Sequence, residues 1–143
     1  LSIHLLNTQE KIPIDTRRLK AIFRQIAKEL QVEDREISCV ITDDEHIREL
    51  NLRYLKRNKP TNVLSFPLES GKHLGDIVIS AETAERDARG GNLPLLDELA
   101  FLFLHGLLHL IGYNHEDGDP GKAKEMERKE REIFSSISGY DLD

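Results

Sequence analysis

Apolar and polar positions along the chain follow two periods, close to 2 and close to 3.6, and the switches between them mark out the elements. Residues 2–7, "SIHLLN", read as a strand. Asp15 is placed to cap a helix running to about Gln31, in which Leu19, Ile22, Phe23, Ile26, Ala27 and Leu30 recur at helical spacing. "EISCVIT" (36–42) is a second strand, and Asp43 or Asp44 then caps a helix that ends near Leu55. "NVLSFPL" (62–68) and "LGDIVIS" (74–80) are two more strands, and the short "ESGKH" link between them favours an antiparallel hairpin. Ser80 caps a helix to about Gly90, where Gly90-Gly91 stops it. Residues 96–111, "LDELAFLFLHGLLHLI", are apolar nearly all round, as a central buried helix requires. Asp119-Pro120 opens a last amphipathic helix with Met126, Ile133, Phe134 and Ile137 on its apolar side. This order predicts an α+β fold, a mixed four-stranded sheet packed with about five helices.

Length and composition narrow the class. The 143 residues (1–143) form one domain near the commonest domain size, with no internal repeat, low-complexity tract or long linker. The single cysteine, Cys39, lies in an apolar alternating run and reads as a buried structural thiol. One cysteine and no signal-peptide pattern point to a reducing, cytoplasmic setting. No apolar run is long enough to span a bilayer. The net charge of −6 argues against a general nucleic-acid binder, yet the segment 48–59 gathers Arg48, Arg53, Lys56, Arg57 and Lys59. On composition alone that segment is a solvated helix face and loop.

The chemistry concentrates in "LHGLLHLIGYNHEDGD" (104–119), which holds three of the six histidines. His105 and His109 are four residues apart, so on a helix they differ by about 40° and project from one face a turn apart. That geometry lets two imidazoles grip one metal ion. Gly112 can take a left-handed conformation and end the helix, and the returning chain brings His115 up as a third ligand. Three neutral imidazoles leave a fourth tetrahedral position open, the mark of a catalytic rather than a structural zinc site. Imidazoles buried in "FLFLHGLLHLI" otherwise need polar partners that their sequence neighbours do not supply.

The spacing H-x3-H-x5-H with this glycine is that of the metzincin zinc proteases, which makes the expected fold metzincin-like around a metal-binding central helix. One position departs from them: after the first histidine stands Gly106, not the glutamate those proteases use as general base. Glycine costs about 1 kcal/mol of helix stability relative to alanine, so its presence implies close approach by a substrate or a packed element.

Taken in order, "LNLRYLKRNKPTNVLSFPLE", "LGDIVISAETA", "HGLLHLIGYNH" and "MERKEREI" resemble the YbeY family of metal-dependent endoribonucleases and rRNA maturation factors over almost the whole chain. The resemblance implies a zinc-dependent hydrolase of single-stranded RNA in the cytoplasm, acting in 16S rRNA 3′-end maturation and ribosome quality control. Its partners would be the 16S rRNA precursor and the ribosome. The family's metal ligands fall on His105, His109 and His115, binding one Zn2+ per chain, with Ni2+ or another divalent ion as the alternative. Asn114 stands where the family often has Asp. Leu55 stands where it usually has an arginine, so Arg57 or Lys56 takes over that basic contact.

The remaining candidates are weaker. Lys56, Arg57 and Lys59 would hold phosphate and offset transition-state charge, with Arg57 the catalytic candidate among them. Asn62 and Ser65 are placed to bond a substrate backbone, with turn chemistry and strand packing as the plainer reading. Asp76 could fix a histidine tautomer from behind, or face solvent. Of His4, His46 and His73, only His73, in the hairpin link, is expected to approach the site. Met126 packs under the metal or simply in the core. The general base, and the choice between water and the ribose 2′-hydroxyl as attacking group, stay unassigned. Two other classes remain: a metallopeptidase with a base such as Glu116 or Asp117, and a non-catalytic ribosome-assembly factor whose metal ties the last helices together.

Overall fold

The structure is a computed structural model and describes residues 3–113 and 120–138. Its elements are β1 (Ile3–Asn7), α1 (Thr16–Glu29), β2 (Glu36–Thr42), α2 (Asp44–Leu55), β3 (Val63–Ser70), β4 (His73–Ser80), α3 (Ala81–Gly91), α4 (Leu95–Leu110) and α5 (Pro120–Ser138). The element order is the one expected, with ends shifted by one or two residues. The sheet runs β1-β2-β4-β3, with β1, β2 and β4 parallel and β3 antiparallel to β4 at the edge.

Period-2 alternation decides which side of the sheet each residue serves. Ile37, Cys39, Ile41, Ile77 and Ile79 belong to the main core with α1, α4 and α5. One residue out of phase, Leu64 and Val78 pack with Ile47 of α2 on the opposite face. Helix α4 is buried nearly all round, as its unbroken apolar run demands, and its Phe103 stacks on Phe23 of α1 with ring centroids 3.9 Å apart. Helix α5 closes the core with Met126, Ile133 and Phe134. No single helix among the described residues is long and apolar enough to cross a membrane.

The two aspartates after β2 divide their work. Asp43 caps α2 by accepting from the backbone N–H of His46 at 2.8 Å. Asp44 accepts from the Ser80 and Thr83 hydroxyls, each at 2.6 Å, and from Arg86 at 2.8 Å. This ties the start of α2 to the start of α3. Burial pushes the Asp44 carboxyl up, but these three donors outweigh it and hold it below its usual range.

Candidate functional site

Helix α4 presents His105 and His109 in its last two turns. Gly106 is what lets the helix lie this close to the sheet: a Cβ there would stand 3.1 Å from Cγ2 of Ile77 in β4. A packed strand, not a substrate, therefore explains this glycine. A second glycine relieves the same contact. Gly75 has φ +150, and a Cβ on it would strike the Phe66 carbonyl oxygen and the Leu110 side chain.

The helix ends as its sequence requires. Gly112 has φ +110, its N–H donates to the His109 carbonyl at 3.2 Å, and the Tyr113 N–H donates to the Leu108 carbonyl at 2.9 Å. These paired bonds form a Schellman closure, which turns the chain directly after the second histidine. The next stretch, with His115 and with Asn114, Glu116 and Asp117, lies outside the described residues.

The two rings meet edge to face, with centroids 4.8 Å apart, and their Nε2 atoms are 3.2 Å apart. Two nitrogens each about 2.0–2.1 Å from a tetrahedral zinc stand about 3.3 Å apart, so this pair has the bite one such ion needs. The partial negative charge at the α4 C-terminus favours a cation at the same point. Behind the pair, His105 Nδ1 lies 2.6 Å from Oε2 of Glu130, whose side chain is only 9% exposed. With Nδ1–H donating to that carboxylate, a neutral His105 ring keeps its lone pair on Nε2, toward His109.

Glu130 is the site residue the sequence reading missed. The signal was present: Glu130 is four residues after Met126 and three before Ile133, so it interrupts the apolar stripe of α5 with a carboxylate. Met126 itself is a core residue, 1% exposed. Among the described residues no third ligand-type side chain joins His105 and His109.

The other candidates scatter. Asp76, read as either a tautomer-fixing group or a solvent-facing one, lies out of phase with Gly75 and Ile77 and so belongs to the opposite face of the sheet, half exposed, in line with the second reading. His73, expected to approach the site, instead turns to that face, 3.5 Å from Ser38 Oγ and 3.6 Å from Asp76. Asn62 donates to Asp87 of α3 at 3.4 Å, at the end of β3 remote from Pro67 and Gly75. Ser65 pairs with Ile77, which packs on Gly106, so Ser65 shares the sheet face that carries α4.

Arg53, Lys56, Arg57 and Lys59 are exposed at and beyond the C-terminal end of α2, with Lys56 as its left-handed cap. The loop is braced. Asn51 donates to the Lys59 carbonyl at 2.9 Å, and Arg48 holds both Glu45 and Asn58. Beside it Tyr54, 57% exposed, rests edge-on against Phe66 of β3. Phe66 precedes Pro67, the cross-strand partner of Gly75, on which Leu110 packs. Tyr54, at the end of α2, thus meets the stretch of edge strand β3 next to the Gly75 partner, whereas the loop that carries Lys56, Arg57 and Lys59 folds back along α2, where Asn58 and Lys59 meet Arg48 and Asn51.

Two further groups stand apart. Cys39 is fully buried, and burial pushes its thiol up, as expected of a structural cysteine. Glu98, two turns before His105 on α4, is 8% exposed; burial, reinforced by Asp87, pushes its carboxyl up to about 7.

Residues 4–138 match the family described as Endoribonuclease YbeY. A relative of that name from Syntrophus aciditrophicus is 46% identical, the match covering 100% of this chain and 94% of the relative. Another, from Aquifex aeolicus, is 50% identical over 72% of this chain and 71% of its own. A solution structure of a Thermotoga maritima protein is similar with TM-score 0.69 and 29% identity, covering 96% of this chain and 89% of that one.

Proposed function

The chain belongs to the YbeY endoribonuclease family, and from that premise we propose that it is a metal-dependent endoribonuclease that cuts single-stranded RNA. Its substrate in the cell is the 3′ region of the 16S rRNA precursor, met on the ribosome in the cytoplasm, where maturation and quality control of the small subunit take place. The observation that carries the metal-dependent part is the convergence of two imidazole Nε2 atoms at 3.2 Å, with a buried carboxylate behind one of them.

His105, His109 and His115 are the residues that would hold the ion, Zn2+ in the first place, with Ni2+ or another divalent ion as the alternative. When bound, the ion supplies Lewis acidity toward a phosphoryl oxygen and a source of hydroxide at neutral pH. The chain's own groups do the rest. The donor nitrogens are held on one helix face by the core packing of α4. Lys56, Arg57 and Lys59, with Arg53, are cations free of ion-pair partners among the described residues, on a chain whose net charge of −6 repels RNA elsewhere. They hold phosphates along the edge of β3, and the exposed ring of Tyr54 offers a face for a base to stack on.

The peptidase alternative has less support. Gly106, where a protease of similar spacing carries its base, is pressed against Ile77. The cavity of about 260 Å³ just beyond His109 is walled by Lys122 and Glu125 as well as Ile111 and Tyr113. That wall is too charged for an apolar side-chain pocket. The test is metal analysis of the purified protein, with cleavage of a single-stranded RNA assayed before chelation, after it, and after re-addition of zinc. Cleavage that tracks metal content supports the proposal. Undiminished cleavage by metal-free protein overturns it.

A further inference from the structure

Glu130 is a buried carboxylate aimed at a histidine. Its side chain is 9% exposed, and among the described residues its one side-chain polar contact is the His105 ring nitrogen at 2.6 Å. It is locked there by its neighbours on α5, because Met126, Ile133 and Phe134 are each 3% exposed or less. An apolar residue at this position would complete the α5 stripe and remove the desolvation cost of a carboxylate. Stability of the helix pair therefore does not explain the choice.

We propose that Glu130 is a positioning residue: it accepts the Nδ1 proton of His105, fixes that ring in the Nδ1–H tautomer, and so aims its Nε2 lone pair at the point where His109 Nε2 converges. The inference deepens the metal-dependent reading and rests on it. A carboxylate behind a ligating imidazole sets ring orientation and raises ligand basicity, and its loss typically weakens metal binding about 10- to 100-fold. The length of the glutamate side chain matters as well, since it must reach from α5 across to α4.

The two roles predict opposite results for Glu130→Leu. As a positioning residue, Glu130 can be replaced without loss of thermal stability in the metal-free protein, because leucine continues the apolar stripe. Zinc affinity, measured by competition with a chromophoric chelator, should then fall about 10- to 100-fold. Glu130→Gln keeps both length and an acceptor, so it should lie within about tenfold of the parent.

A readout independent of metal is the tautomer itself. In metal-free protein, long-range proton–nitrogen correlation spectra should show His105 as a single Nδ1–H species with a downfield proton. That signature should persist in Glu130→Gln and be lost in Glu130→Leu. The proposal is overturned if Glu130→Leu keeps both the Nδ1–H signature and parental zinc affinity. It is also overturned if Glu130→Gln, with the parental fold, loses the signature. If the parent protein takes up no zinc, the metal-dependent reading fails, and the tautomer comparison alone still upholds or overturns the role of Glu130.

Discussion

Each of His105, His109 and His115 replaced singly by alanine should bring metal content per chain close to background and abolish cleavage. Elemental analysis beside an RNA assay checks this, and full occupancy in all three variants would contradict the ligand set. Gly106 tests a different force. Gly106→Ala puts a methyl 3.1 Å from Ile77, an overpacking cost of about 1–3 kcal/mol offset by about 1 kcal/mol of helix propensity. Gly106→Glu would bury a carboxylate against the sheet at a cost of several kcal/mol. The alanine variant should melt slightly lower yet keep its metal, whereas the glutamate variant should fail to fold. Of the two close approaches the sequence allowed at Gly106, substrate or packed element, the packed strand is the one both variants probe. Glu98 carries a pH signature. Its folded pKa of about 7 lies above the unfolded value, so its contribution is present in acid and is lost as pH rises through 7. Glu98→Gln should raise stability above pH 7 by up to about 3 kcal/mol, and the gain should vanish below about pH 4. Urea denaturation at both pH values measures it.

Among elements, the junctions carry the polar energy. Asp44 joins α2 to β4 and α3 through three donors. Asp44→Ala leaves those donors without their acceptor and should cost about 1–3 kcal/mol at neutral pH. Because its folded pKa is lowered, that stability exists above the unfolded pKa and fades as pH falls through the folded one. The gap between variant and parent should accordingly narrow in acid. The element boundaries were legible for a local reason: caps and breakers act within four residues, so Asp15, Asp43, Ser80 and Gly112 announced themselves. The face that each strand residue serves was less legible. In a sheet covered on both sides, "LGDIVIS" does not say whether Asp76 or Ile77 meets the histidine helix, because either phase buries apolar groups.

At the scale of the molecule, charge is arranged against the average. If the exposed cations beyond α2 meet RNA, Lys56→Ala combined with Arg57→Ala should weaken binding and flatten its salt dependence by about one to two units, since each lost phosphate contact removes about one. Filter binding of a single-stranded RNA across a salt series reads the slope. An unchanged slope would move the contact elsewhere. The same experiment with Tyr54→Ala should lower affinity without changing the slope, because stacking releases no counterions.

By itself the sequence determined the elements, their order, the two histidines on one helix face, the glycine that turns the chain after them, and the family. All of these follow from helical and strand periodicity, local capping chemistry and residue identity in order. Tertiary structure alone decided that Glu130 stands behind His105, that Gly106 answers to Ile77, and that Asp76 and His73 turn away. Those outcomes depend on which faces of α4, α5 and β4 meet, and a one-dimensional pattern gives the phase within each element but not the phase between elements distant in the chain.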